Sequence, residues 1–222
     1  MSNYSQKKLC LSFKKTKTVP GKPPSIEKQE EVIELLTTYL RRENTIVLFF
    51  DPCHLQHNVV NARMWQPRGR EGTIRVKTNP GRKRINILGA LNFNDLSVIS
   101  MITEDKCNDK KVVEFIKKIR QKYPGKEIII VLDNARYNHA NYTTVYAELC
   151  GIELFFLPSY SPNLNLIERL WKFTKRKLVH NKYYEKFDQF VGKVSQYFEN
   201  INEYNEELTK ILNGKFEIIE AV

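Results

Sequence analysis

No apolar run in the 222-residue sequence approaches the roughly 18 residues that a membrane-spanning helix needs. The N-terminal lysines are not followed by an apolar segment and a small-residue cleavage site, so no secretory signal is visible. Internal repeats and low-complexity tracts are missing as well. Cys10, Cys53, Cys107 and Cys150 are scattered with no CxxC pair, which argues against a zinc finger and a disulfide framework. Cys53, His54 and His57 lie close together, but no second ligand pair stands at zinc-like spacing, and free thiols are the reading. Acids are in short supply. The chain has 25 Asp and Glu against 36 Lys and Arg, a net charge of +11. That balance favours a polyanionic partner, nucleic acid before membrane. A cytoplasmic protein that faces DNA, with no membrane partner, is expected.

What is present suits one globular domain with appendages: 41% apolar and 27% charged residues, on a chain long enough for a sizeable core. Residues 1–24 carry Lys7, Lys8, Lys14, Lys15, Lys17 and Lys22 and no acid, which reads as a basic arm. Ser25 is a candidate N-cap for a helix on which Val32, Ile33, Leu36, Tyr39 and Leu40 recur at helical spacing. Residues 68–84 hold Arg68, Arg70, Arg75, Lys77, Arg82, Lys83 and Arg84 against one acid, Glu71, among glycines and prolines. Such a segment can track phosphates, or simply form a solvated hairpin.

Strand-like runs cover 44–50, 84–92, 96–103, 128–132 and 152–157. Helical patterns cover 109–123 and 142–149, a further helix begins at Pro162 or Asn165, and helix continues over 188–212. Three adjoining antiparallel strands followed by helix, strand, helix, strand predict an α/β ribonuclease-H-like fold. Its mixed five-stranded sheet is flanked by helices, with right-handed crossovers making the later strands parallel to the first.

Three acids stand at informative places. Asp51 follows the apolar run TIVLFF, and Asp133 follows IIIVL. Acids at the carboxyl ends of buried strands sit where open α/β sheets form their ligand sites. If the strands are neighbours, such like charges need a cation, and a pair of Mg²⁺ or Mn²⁺ ions roughly 4 Å apart fits that need. Glu168 reads two ways. Asn165 and Glu168 resemble a capping box, yet helical phase puts Glu168 with Lys172 and Lys175 beside the face formed by Ile167, Trp171, Thr174 and Leu178.

The strings VLFFDPCHLQHN, VLDNARYNHA and LPSYSPNLNLIERLWKFTKRKL resemble the three catalytic blocks of DDE transposases of the IS630–Tc1–mariner superfamily, and more narrowly the IS630 type. Thirty-four residues separate Asp133 from Glu168, the gap this group keeps between its second and third acids. The resemblance runs from about residue 12 to residue 177. It implies Asp51, Asp133 and Glu168 as catalytic metal ligands, with Asn134 and His139 as secondary active-site residues. It further implies metal-dependent cleavage of DNA at transposon ends and strand transfer into target DNA, typically at TA. Arg68, Arg70, Arg82, Lys83, Arg84, Lys172, Lys175 and Arg176 are the expected DNA-binding residues. Trp65 and Gly69 match an element ahead of the family's basic loop, which in relatives contacts DNA or a partner subunit.

The expected organisation is a basic arm and linker helix over 1–43, the catalytic domain over 44–200 and a tail over 201–222. Leu166 replaces the proline usual in relatives. The helix-turn-helix pair with which relatives begin has no counterpart before Ser25, so a separate helix-turn-helix protein is an expected partner, together with a second copy of the chain in the DNA complex. Two alternatives compete with transposition. One is an inactive or truncated remnant that binds DNA nonspecifically, and the other a stand-alone nuclease of the same fold.

Overall fold

The computed structural model describes residues 19–212 and 216–220, so the lysines of the basic arm before Lys22 lie outside the described residues. The elements run α1 (Ile26–Leu40), β1 (Thr45–Gln56), β2 (Arg84–Asn92), β3 (Val98–Thr103), α2 (Asp109–Lys122), β4 (Glu127–Leu132), α3 (Asn141–Leu149) and β5 (Ile152–Phe156). A 3₁₀ turn (Pro162–Leu164), α4 (Ile167–Leu178), α5 (Phe187–Glu199), a second 3₁₀ turn (Ile201–Tyr204) and α6 (Asn205–Ile211) follow. The strands form one sheet in the order β3-β2-β1-β4-β5. β1–β2 and β2–β3 are antiparallel, whereas β1–β4 and β4–β5 are parallel. This is the mixed sheet that the element order predicts.

Alternation along the central strands divides the core in two. Val47 and Phe49 of β1, with Ile129 and Val131 of β4, face one cluster with residues of α1, α4, α5 and α6. Leu48 and Phe50, with Ile128, Ile130 and Leu132, face the other cluster, against α2 and α3. Both faces of β1 and β4 are therefore covered, which is why these strands read as continuous apolar runs. Each fully buried side chain of this size contributes about 1.5–3 kcal/mol of burial, so neither layer is dispensable. Ser25 caps α1 as expected, accepting from the Lys28 N–H at 3.3 Å. Val32, Leu36 and Tyr39 of α1, and Ile201, Leu208 and Leu212 near the C-terminus, pack into the first cluster.

Two expectations need correction. β1 does not end at Phe50 but runs on to Gln56, so Asp51 lies within the strand. Beyond Phe49 the strand loses β4 and keeps only β2. A strand paired on one side tolerates Pro52, because no second neighbour needs its missing N–H. The helix expected over 188–212 is interrupted by the 3₁₀ turn. There the Asn200 side chain donates to the Gln196 carbonyl at 2.9 Å, a local bond that competes with helix continuation.

Candidate active site

Sheet geometry brings the first two acids together. Phe49 of β1 lies opposite Val131 of β4, so Asp51, within β1, and Asp133, just past the end of β4, each stand two residues further along. Asp51 continues the odd-numbered alternation of β1 and so belongs to the sheet face on which α4 packs. Glu168 comes from the first turn of α4. All three line one cavity of about 430 Å³ at the carboxyl end of the parallel strands, walled by Asn134, Asn165 and residues Leu157–Pro162.

Each acid is held by its own surroundings. The Trp171 indole N–H donates to Asp51 Oδ2 at 3.0 Å. Trp171 can lie there because Gly89, opposite Asp51 on β2, has no side chain; a Cβ at that position meets the indole Cη2 at 2.4 Å. The Asp133 Oδ1 accepts from the Ala135 N–H at 3.1 Å and from Asn138 Nδ2 at 2.9 Å. Asn138 is fully buried and also donates to the Asp133 carbonyl at 3.2 Å. The start of α4 is tied to β1 by Asn165, whose Nδ2 donates to the Phe50 carbonyl at 3.0 Å.

That last contact corrects the capping-box reading. The Asn165 side chain does not cap α4; the helix begins after Leu166 without a side-chain cap bond, and only the Asn165 carbonyl meets the Glu168 N–H, at 3.1 Å. A strand carbonyl at the point where β1 loses its β4 neighbour is the stronger claim on the carboxamide, since a buried acceptor left unmatched costs about 1–3 kcal/mol.

The charges of the three acids converge on Asp51. Burial first, then the carboxylate of Glu168, then that of Asp133, push its carboxyl up to about 8, against the opposing pull of the Trp171 hydrogen bond and Lys175. Among the described residues, however, no three His, Cys, Asp or Glu side chains stand so as to cage an ion as they are placed. The acids share a cavity, and a cation is what would draw them together.

The secondary residues divide. Asn134 lines the cavity and bridges the ends of β4 and β5 by donating to the Leu157 carbonyl at 2.5 Å. His139 sits behind it, donating from Nε2 to Asn134 Oδ1 at 2.8 Å and stacked on Phe156 with ring centroids 4.0 Å apart. Asn138 and Asn165 were not singled out by sequence reasoning as holders of the acids. The only sequence signal is that both asparagines lie within five residues of an acid.

Arg68, Arg70, Arg82, Lys83 and Arg84 are exposed on the long connection between β1 and β2 or at the start of β2. The root of that connection is stitched to the end of α4: Asn181, at a left-handed φ of 55°, exchanges side-chain hydrogen bonds with the Ala62 backbone at 2.9 and 3.1 Å. On α4, Lys172 is exposed and Lys175 half-buried, close enough to act on Asp51. Arg176 instead lies 3.9 Å from Glu207 and over the Phe173 ring. Trp65 is 99% exposed.

The family model described as DDE superfamily endonuclease matches residues 46–191. Among solved structures, the chain is similar to the Mos1 transposase paired-end complex with left transposon end, at 14% identity and a TM-score of 0.68, over 98% of this chain and 70% of that one. It is also similar to the catalytic domain of Mos1 mariner transposase, at 14% identity and a TM-score of 0.58, over 91% of this chain and 100% of that one. These likenesses bear on the fold. None of the curated proteins matches the sequence.

Proposed function

The chain belongs to the DDE superfamily endonucleases, and from that premise we propose that it is the catalytic domain of an IS630-type transposase that cleaves DNA at transposon ends and joins them to target DNA. The observation that carries the reading is the meeting of Asp51, Asp133 and Glu168, from three separate elements, around one cavity. The proposed catalytic residues and metal ligands are these three acids, with Asn134 as a wall residue and His139 as its support.

The donor set suits Mg²⁺ or Mn²⁺, hard cations that take carboxylate oxygens. Structures of the similar Mos1 complexes are named with Mn and with Mg. Asp51, Asp133 and Glu168, which line the one cavity, would hold the ions between them. When bound, the ions supply Lewis-acid activation of the attacking oxygen and neutralise charge on the leaving one. The chain itself does the positioning. Trp171 and Asn138 fix two carboxylates, Asn165 sets the start of α4 against β1, and the wall from Leu157 to Pro162 bounds the space for a phosphodiester. Exposed Arg68, Arg70, Arg82, Lys83, Arg84 and Lys172 supply positive charge for DNA phosphates, and Lys175 adds charge beside the acids. Arg176 contributes less, being engaged with Glu207.

The proposal includes a homodimer in the DNA complex, because two ends are joined in one reaction. It also includes a cytoplasmic, nucleoid-associated place of action. No helix among the described residues is long and apolar enough to cross a membrane. Supercoiled plasmid mixed with the chain and Mn²⁺, together with a labelled oligonucleotide duplex, tests the reading. Nicked plasmid and oligonucleotide joined to plasmid are expected, and both vanish with EDTA. Nicking without joining points to a stand-alone nuclease. Salt-sensitive binding with no metal-dependent product points to the inert, DNA-binding alternative.

A further inference from the structure

Four buried side-chain polar atoms among the described residues lack a hydrogen-bond partner: Arg120 Nε and the Oδ1 atoms of Asn138, Asn163 and Asn165. Of these residues only Asn165 lines the cavity of the three acids. Its residue is 4% exposed. The orientation of the carboxamide is fixed by its neighbour, because the Phe50 carbonyl can only accept and so must face Nδ2. Oδ1 is therefore a buried acceptor, turned away from the one protein group that holds the side chain. Buried acceptors without a partner are rare in folded proteins and cost about 1–3 kcal/mol when left so. An unmatched acceptor on a residue that lines an acidic cavity is open to pairing with a group that brings positive charge or donors there.

We propose that Asn165 Oδ1 is a fourth, uncharged oxygen of the cation site, acting beside Asp51 and Glu168. The proposal rests on the reading of the three acids as metal ligands and adds to it a residue to which sequence spacing assigns only a helix cap. Two features of the fold support it. Asn165 precedes Glu168 by three residues and is tied to the carbonyl immediately before Asp51, so it moves with both acids. A neutral oxygen also adds a donor, without adding negative charge, to a cavity already lined by three acids. Asn165 thus has two jobs, one for each end of its carboxamide: Nδ2 joins α4 to β1, and Oδ1 would take the ion.

The test uses metal affinity, read without any DNA. The chain has two tryptophans, Trp65 and Trp171. In a Trp65→Phe background the emission reports Trp171 alone, whose indole is bonded to Asp51, and paramagnetic Mn²⁺ bound there quenches it. Asn165→Ala is expected to weaken Mn²⁺ binding by about 10-fold or more, the usual effect of losing a group that supports a metal site. Asn165→Asp also lacks the donor to Phe50 but turns a charged oxygen to the ion, and it is expected to bind Mn²⁺ more tightly than the parent, since ligand charge sets affinity. Melting curves accompany each titration, and the Asp variant decides alone if the Ala variant does not fold. Parent-like affinity in both variants, or equal weakening in both, overturns the proposal and leaves Asn165 as a structural tie. A parent chain whose Trp171 emission ignores Mn²⁺ overturns the metal reading of the acids, and this proposal with it.

Discussion

Trp171 on α4 donates its indole N–H to the Asp51 carboxylate on β1 at 3.0 Å. A helix and a strand distant in sequence thus meet at the acid on which the charges of the other two converge. The indole reaches that position through the gap at Gly89, which pairs with Asp51 across the sheet. Asp51, Gly89 and Trp171 therefore form one unit, with the acid, the space and the donor each supplied by a different element.

Gly89→Ala tests the space. Its Cβ would lie 2.4 and 2.7 Å from two atoms of the Trp171 ring, and a rigid indole in a packed core cannot retreat as a flexible chain end can. Overpacking of this kind costs about 1–3 kcal/mol. Each kcal/mol corresponds to about 2–4 °C of melting temperature for a domain of this size. An unchanged melting curve and unchanged Trp171 emission would show that the ring does not depend on the gap.

Trp171→Phe tests the donor. An aromatic ring remains, but the N–H to Asp51 is gone. The expected loss is about 1 kcal/mol of stability and about 10-fold or more in metal-dependent cleavage, as for other groups that orient a ligand. Cleavage at the parent rate in a folded variant would show that Asp51 needs no such support.

Asn138→Ala removes both hydrogen bonds that this buried side chain gives to Asp133. Cleavage is expected to fall by about 10- to 100-fold, with Mn²⁺ affinity falling in parallel. A stability loss with full Mn²⁺ affinity would assign Asn138 to the fold alone.

The pH dependence follows from Asp51. Its carboxyl is pushed up to about 8 by burial, Glu168 and Asp133, whereas an aspartate in the unfolded chain ionises near pH 3.9. Between those values the folded state holds a proton that the unfolded state has released. Stability rises with pH only where the unfolded state binds more protons, so this group lowers stability as pH climbs from about 4 to about 8. Asp51→Asn cannot titrate. In EDTA the melting temperature of the parent is expected to fall relative to that variant between about pH 5 and about pH 8. Mg²⁺, by favouring the ionised carboxylate, is expected to narrow the gap. A gap independent of both pH and Mg²⁺ would contradict the electrostatic account.

Much of this architecture was legible because the central strands are buried on both faces and announce themselves as apolar runs. Asp133 is the plainest case, standing directly after Leu132 where β4 ends. Asp51 was legible as an acid after a strand, but not as an acid within one. The residues Pro52 to Gln56 carry no apolar run, because β1 there is paired on one side only. Asn165 sat three residues before a glutamate, and local pattern made it a cap. Only the position of the Phe50 carbonyl, more than a hundred residues away in sequence, gives it another role. Asn138 had no periodicity to mark it. The three-residue 3₁₀ turn before α4 and the break after α5 were equally hidden, since both answer to tertiary packing and to single side-chain bonds such as that of Asn200.

Metal-dependent nicking of plasmid DNA by Asp133→Asn, beside the parent chain at equal concentration, tests the central claim most directly. Asparagine keeps the size of the side chain and removes the charge that a cation needs, so the variant is expected to melt close to the parent and to leave the plasmid uncut in Mn²⁺. A folded Asp133→Asn variant that nicks at the parent rate would contradict the assignment of these acids as the catalytic site.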